Sequence, residues 1–277
     1  MSNPPKFTDR AALSRNRARA LAQGADLFLH KEAAAEAEER LGEVNKTFTD
    51  PAVVTAFPAP WTEILPGARI VADDEMLALD EGAHDLVVHA LSLHWSGDPV
   101  GQLIQCRRAL RPDGLFLGVL FGGRTLSELR AALAEAESRL TGGLSLRVLP
   151  MGEIRDLGAL LQRAGFALPV ADSVRKTVTY ATMFHLIADL RAMGEGNALA
   201  ARSRRATARA LFPTAAEIYS GTFPAGGGRV AATFEMIWLT GWAPDASQPK
   251  PLRPGSAAQR LADALGATET PLSRADD

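Results

Sequence analysis

The stretch HDLVVHALSLHWSGDPVGQLIQCRRALRPDGLFLGVLFGG, from His84 to Gly123, decides the fold. Its first part, His84–Leu93, is a nearly continuous apolar run, which is typical of a strand covered on both faces. Apolar residues then recur at helical spacing over 98–110, and the turn signal RPDG leads into a second apolar strand over 115–121. Strand, helix, turn and strand in this order predict a parallel sheet with right-handed crossovers, and therefore an α/β fold.

Outward from this stretch, the N-terminal side is first helical and then strand-like. Strong helix formers predict helices over 9–23 and 31–42, and short β-branched runs predict strands over 51–57 and 68–72. On the C-terminal side, a long helix is predicted from Thr125 to about Leu140. Glu128 stands three residues after Thr125, the spacing of a capping box.

After residue 150 the pattern becomes more helical. The spacing predicts helices over 155–164, 183–193 and 206–219, a strand within 168–180 and most clearly over 176–180, and a late strand over 229–242. The proline-rich tail over 244–255 is expected to be extended, with a short helix over 256–265. We therefore divide the chain into a helical N-terminal segment (1–45), an α/β core (46–145), a cap with the final strands (146–243) and the tail (244–277).

Composition limits the classes of function. The 277 residues carry a net charge of −2, so no global attraction to nucleic acid is expected. The longest apolar run, Leu115–Phe121, is too short to span a bilayer, so we expect no transmembrane segment. The single cysteine, Cys106, excludes an intramolecular disulfide and a zinc cluster, which fits a cytoplasmic location. The alternation of arginine and alanine near residues 10–19 leaves a targeting peptide as the alternative to an N-terminal helix with a solvated basic face.

The segments HDLVVHALSLHW and RRALRPDGLFLGVLFGG resemble the second half of a class I S-adenosylmethionine-dependent methyltransferase. In that family the D-L-V strand is the fourth of the sheet, and the L-x-P-D-G-x-F turn enters the fifth. Other segments, among them FGGRTLSELRAALAEAE, DLRAMGEGNAL and FEMIWLTGWAP, are similar to the methyltransferase-like assembly factor of respiratory complex I and its bacterial relatives. The malonyl-carrier-protein methyltransferase of biotin synthesis is a more distant relative.

The resemblance implies a Rossmann-like methyltransferase sheet with a partly helical cap, S-adenosylmethionine as the cofactor and a complex I subunit as a partner. The mitochondrial assembly factor is an arginine hydroxylase, so modification of a protein side chain is one implied activity. A protein that only binds its partner is the other reading, and the sequence leaves open whether this chain is an enzyme.

The cofactor motif departs from the family. A nucleotide-binding βαβ unit needs a glycine-rich turn after its first strand, and an acidic residue about 20 positions later. Before Asp73 the glycines, at positions 24, 42 and 67, form no G-x-G pattern, and 22 positions (73 − 51) separate Pro51 from Asp73. Because two strands and two helices do not fit there, we predict a sheet truncated in its N-terminal half and a degraded cofactor site, with binding either weak or lost. The alternative is an active S-adenosylmethionine-dependent methyltransferase acting on a small-molecule or carrier-protein carboxylate.

The carboxyl ends of the predicted strands should meet at one edge of the sheet, where open α/β sheets bind ligands. The cofactor-side candidates at this edge are Asp73, Asp74, Ser92, Leu93, His94 and Trp95. The resemblance places the two aspartates where relatives bind the adenine amino group; solvated loop carboxylates are the alternative. His94 is a candidate general base, and Trp95 is a candidate stacking surface. The alternative is a tryptophan that closes the sheet edge beside a histidine bonded to backbone.

The substrate-side candidates are Gly123, Arg124, Tyr180 and Asn197, with Glu195 in the same covering segment. Arg124 stands where relatives of the F-G-G-D-T form carry an acid, so the local charge is reversed and arginine modification is disfavoured. Tyr180 has core packing as its alternative. The basic run of Arg202, Arg204, Arg205 and Arg209 is either a partner surface or a solvated helix face. The spacing of the five histidines predicts no metal site.

Overall fold

The computed structural model describes residues 6–249. Among them are eight α-helices, α1 Arg10–Ala22, α2 Phe28–Glu43, α3 Ala59–Ile64, α4 Pro99–Ala109, α5 Ser127–Thr141, α6 Ile154–Ala164, α7 Met183–Ala192 and α8 Leu211–Thr222. The strands of the same part of the chain are β1 Pro51–Val54, β2 Arg69–Val71, β3 His84–Ala90, β4 Leu110–Phe121, β5 Ala167–Tyr180, β6 Pro224–Ala225 and β7 Arg229–Trp242. Contacts divide the chain into residues 1–244, which contain all of these elements, and residues 245–277.

One sheet organises the first unit. Its strand order is β2-β1-β3-β4-β7-β5, and the short β6 pairs with β7. The first four strands in that order are parallel, whereas β7 runs antiparallel between β4 and β5. The α/β class and the parallel pairing of the two apolar runs are therefore confirmed. The D-L-V strand is the third strand of this chain, one place earlier than in the family that it resembles.

Alternate residues of the central strands enter two separate hydrophobic layers, because successive side chains of a strand point to opposite faces. Val88 and Leu117 face α2, α5, α7 and α8 on one side. Val87 and Phe116 face α4 and α6 on the other side. Coverage on both faces explains why β3 and β4 are apolar without alternation.

Several predicted boundaries are wrong for local reasons. The first strand ends at Val54 rather than at residue 57, and β3 ends at Ala90, where Leu91 takes a positive φ of 43° before a short 3₁₀ turn over Leu93–Trp95. The predicted helix over 206–219 begins at Leu211, and the strand predicted most clearly over 176–180 spans Ala167–Tyr180.

The predicted capping box is also wrong. Helix α5 begins at Ser127, and no side chain caps its N-terminus. The Thr125 hydroxyl instead bonds the main chain of Glu235, and the Glu128 carboxylate bonds the main-chain N–H and hydroxyl of Thr233. Both side chains thus fasten the start of α5 to β7.

The predicted extended tail over 244–255 lies largely outside the described residues, and the predicted helix over 256–265 lies wholly outside them. In residues 245–249, the Ser247 hydroxyl donates to the Asp245 carboxylate at 2.6 Å. No helix among residues 6–249 has the length and apolar content to cross a membrane. The same residues contain no cluster of three metal-ligating side chains.

Candidate functional site

Asp73 lies directly after β2, at the carboxyl edge of the sheet, and is buried. Arg17 of α1 donates from Nη1 to both carboxylate oxygens of Asp73, at 2.7 and 2.9 Å. Arg10, seven residues before Arg17 on the same face of α1, donates to the main-chain oxygen of Asp73 at 2.6 Å. Asp74 is largely exposed and lies 3.5 Å from Arg10. The N-terminal helix therefore supplies the partners of the buried acid.

Phe57 takes the place after β1 where a nucleotide-binding fold carries its glycine turn. The turn is closed by the Phe57 N–H, which donates to the Thr55 hydroxyl at 3.1 Å. The phenylalanine ring is buried, 5.0 Å from the ring of His30 on α2. Gly194 packs so closely that a Cβ there would lie 3.0 Å from both the Phe57 ring and the Arg17 side chain. Side chains of the protein thus fill the space beyond β1.

His94 and Trp95 share one buried carboxylate. Trp95 Nε1 donates to Glu195 Oε2 at 2.7 Å, and His94 Nε2 lies 3.3 Å from the same oxygen. Burial by itself raises the pKa of Glu195, but the charge and hydrogen bond of His94, with the nearby Arg17 and Trp95, hold it below its usual value. The carboxylate is therefore ionised, and His94 bonds this side chain rather than backbone, in contrast to the alternative considered from the sequence.

Ser92 and Leu93 precede this pair and have separate roles. The Ser92 hydroxyl lies 3.5 Å from His89 Nδ1, and His89 Nε2 lies 3.0 Å from the amide oxygen of Gln102. Burial lowers the pKa of His89 to about 4, so this histidine is neutral at pH 7. Leu93 is buried in the layer that faces α4.

A cavity of about 220 Å³ opens beside Trp95 and Glu195. Its walls are mostly apolar and include Phe121, Leu129 and Phe234. Asn197 also lines it, with its amide held by the Leu146 carbonyl at 2.8 Å and the Leu199 N–H at 3.0 Å. The structure therefore brings Trp95, Asn197 and Glu195 together around one cavity.

Comparison with known proteins shows what this chain is similar to. A family model described as "Methyltransferase domain" matches residues 30–118. The human protein "Arginine-hydroxylase NDUFAF5, mitochondrial" is 42% identical over 71% of this chain and 56% of its own length. The chain is similar to these proteins of the methyltransferase superfamily and has a methyltransferase-like α/β fold. The zebrafish (Danio rerio) protein of the same description is 39% identical over 73% of this chain and 63% of its own, and "Malonyl-[acyl-carrier protein] O-methyltransferase" of Laribacter hongkongensis is 34% identical over 68% and 61%.

The match to these methyltransferase-superfamily relatives is partial. The chain spans less than two thirds of the length of each of them. The matched family region, residues 30–118, begins in α2 and ends within β4. It therefore includes β1, β2 and β3, together with Asp73 and the segment around His94.

Three of the substrate-side candidates do not line the cavity. Gly123 has a φ of +51°, and a Cβ there would lie 2.5 Å from the Glu235 carboxylate. Arg124 donates its main-chain N–H to Glu235 at 3.0 Å, and its side chain is exposed. Tyr180 is buried in the hydrophobic layer that contains Val88, in agreement with its packing alternative.

Sequence reasoning missed two residues of the methyltransferase-like site. Arg17 belonged to a basic face that was expected to be mostly solvated, yet it is buried against Asp73. His30 is buried on α2 and no periodic signal marked it. The basic run was also misplaced, because Arg202 and Arg204 lie in a non-helical segment and pair with Asp9, the N-cap of α1, at 2.8 and 3.0 Å.

Proposed function

We propose that this chain is a methyltransferase-fold protein that has lost the family's usual S-adenosylmethionine site and acts in respiratory complex I assembly as a binding factor. The mitochondrial relatives named above, at 39–42% identity, support the assembly context. A cytoplasmic location and a complex I subunit as partner are parts of the same proposal.

The observation that carries the proposal is the buried ion pair of Arg17 with Asp73. Both carboxylate oxygens of Asp73 already accept hydrogen bonds from the Arg17 guanidinium. A ligand that needed this acid would have to displace a charged partner from a buried position, where unpairing a charge costs several kcal/mol. The Asp73 carboxylate thus binds α1 to the edge of the sheet through Arg17.

The turn after β1 supports the same conclusion. S-adenosylmethionine needs close backbone approach there, and the chain supplies Phe57 with Pro58 next to it instead of glycines. The residues at this edge do not fit the cofactor. Losing several hydrogen bonds, at about 0.5–1.5 kcal/mol each and more where a charge takes part, weakens binding by decades.

Arg124 favours binding over arginine chemistry. Its exposed cation stands at the position where relatives of the F-G-G-D-T form carry an acid. An approaching guanidinium would meet a like charge there rather than a carboxylate. A binding role does not need that acid.

The test measures cofactor binding and partner binding with the full chain. We expect titration calorimetry with S-adenosylmethionine at millimolar concentration to give no binding heat, and the melting temperature to stay unchanged. A tagged chain should co-purify a complex I subunit, identified by mass spectrometry.

A melting temperature raised by several degrees would contradict the proposal, since mass action stabilises a protein that binds its ligand. It would favour the alternative, an active methyltransferase on a small-molecule or carrier-protein carboxylate, to which the Laribacter hongkongensis relative at 34% identity points. A hydroxylated or methylated side chain that appears on the captured subunit only with this chain would instead make it a protein-modifying enzyme.

A further inference from the structure

The cavity beside Trp95 continues into a second space with a different chemical character. A recess of about 510 Å³ shares Arg191, Gly196 and Asn197 with the 220 Å³ cavity. Its other lining residues are Asn16, Arg19 and Gln23 of the α1 end. The first cavity is thus mostly apolar, and the recess at its side is polar.

The recess carries positive charge without an acidic partner in its lining. Among the described residues, two arginines and three amide side chains line it, and no carboxylate does. Arg19 donates to the Asn16 amide oxygen at 2.6 Å, which leaves its charge uncompensated. Arg191 is exposed in the last turn of α7, and its guanidinium has no hydrogen bond or ion pair with the rest of residues 6–249. Such a pair of guanidinium groups favours a carboxylate or phosphate.

The apolar part of the site fits one ring. A cavity of about 150 Å³ lined by apolar side chains holds benzene, so 220 Å³ holds a ring with a short linker. Phe121, Phe212 and Phe234 supply aromatic walls for edge or stacked contacts. The volume is small for a drug-sized ligand, so it favours a single ring over a larger ligand.

The Glu195 carboxylate does not cancel the positive charge at the recess. Its Oε2 atom is taken by Trp95 and His94, and Arg17 lies close enough to lower its pKa. The Glu195 carboxylate lines the apolar cavity and not the recess, so an anionic head group placed at Arg19 and Arg191 meets only the cations and amides that line the recess.

We propose that these two spaces form one binding site for a small aromatic carboxylate, with its ring in the apolar cavity and its carboxylate at Arg191 and Arg19. The site adjoins the Arg17–Asp73 pair, but neither Arg17 nor Asp73 lines it, and it does not depend on the function proposed above.

The experiment titrates the full chain with 3-phenylpropanoate, the alcohol 3-phenylpropanol and the amine 3-phenylpropylammonium, with calorimetry as the readout. We expect the acid to bind about tenfold or more tightly than the alcohol, because a charge-assisted hydrogen bond is lost in the alcohol. Arg191→Gln should weaken binding of the acid about tenfold and leave the affinity for the alcohol unchanged. Arg163→Gln is the matched control, since Arg163 is also an exposed arginine in the last turn of a helix.

Because both arginines are exposed, neither substitution should prevent folding, and a thermal melt of each variant checks this. A second variant, Ile187→Trp, fills the cavity from α7 and should abolish binding of acid and alcohol alike. No binding of the acid at millimolar concentration, equal affinity for acid and alcohol, tighter binding of the amine, or equal losses in Arg191→Gln and Arg163→Gln would overturn the proposal.

Discussion

His30 on α2 is buried, and neither of its ring nitrogens has a hydrogen-bonding partner among residues 6–249. Burial lowers its pKa from 6.5 to about 4, so the folded state binds fewer protons than the unfolded state between these values. The lowered pKa of His30 therefore does not reduce the free energy of unfolding above pH 6.5. As the pH falls from 6.5 toward 4, the free energy of unfolding decreases by up to about 1.4 kcal/mol per pH unit.

We expect His30→Leu to raise the free energy of unfolding at pH 5 by about 2 kcal/mol more than at pH 7.5, because the leucine removes the titrating group. Urea unfolding at both values measures this. His185→Leu, at an exposed position on α7, is the control for replacing a histidine by leucine. Equal changes at the two pH values would place the effect in packing alone.

The Arg17–Asp73 pair gives a second prediction at the residue scale. Arg17→Gln leaves the buried Asp73 carboxylate without the guanidinium nitrogen that donates to both of its oxygens. This substitution should lower the free energy of unfolding by about 3–5 kcal/mol. Arg10→Gln should cost less, since Arg10 is partly exposed and its contact with the carboxylate is 3.4 Å. The double variant Arg17→Met, Asp73→Leu should recover most of the loss, because it removes both charges. Denaturant unfolding of the three variants decides whether the pair acts as described.

Among the helices and strands, those predicted most accurately have a long apolar pattern and lie where helices cover both faces of the sheet. Strands β3 and β4 were predicted with their connecting helix because continuous apolar runs over 84–93 and 115–121 flank a segment with helical spacing. Strand β5 was mostly missed before residue 176, where Pro169 and Asp172 suggest a loop. Its pairing with β7 supplies the hydrogen bonds, and Pro169 sits at a register shift on this edge strand, where proline is tolerated.

Thr125 shows why the start of α5 was mispredicted, and it gives a prediction at this scale. Its buried hydroxyl donates to the Glu235 carbonyl at 3.0 Å and accepts from the Glu235 N–H at 2.9 Å, so a distant strand replaces the local cap. Thr125→Val should lower the free energy of unfolding by about 1–3 kcal/mol, since the Glu235 N–H is left unpaired. Thr177→Val on the exposed side of β5 is the control and should be nearly neutral. An equal effect of both substitutions, measured by thermal unfolding, would argue against the link between α5 and β7.

For the whole molecule, the α/β class followed from the order of the predicted strands and helices, and the shortened N-terminal half followed from counting positions. The contacts that complete the shortened edge of the sheet could not be predicted in this way. Only 22 positions separate Pro51 from Asp73, and they hold β1, the six-residue α3 and the three-residue β2. The edge is completed by α1, whose Arg17 lies 56 positions before Asp73 in the sequence. Ion pairs at such separations leave no periodic trace in a single sequence, so this part of the site could not be predicted.

The packing of α1 against this edge has a consequence for local unfolding. Protection from amide exchange reflects the free energy of the opening that exposes each segment, and contiguous segments that open together exchange together. Arg17 joins α1 to the end of β2, and Gly194 lies against both Arg17 and Phe57. We therefore expect Arg17→Gln to speed exchange about tenfold or more in residues 10–22, 69–78 and 193–199, and to leave β4 and β7 unchanged. Exchange followed by mass spectrometry resolves these segments. Uniform acceleration across the sheet would mean that the edge and the central strands unfold as one unit, and no acceleration at 69–78 would mean that α1 does not hold the end of β2 in place.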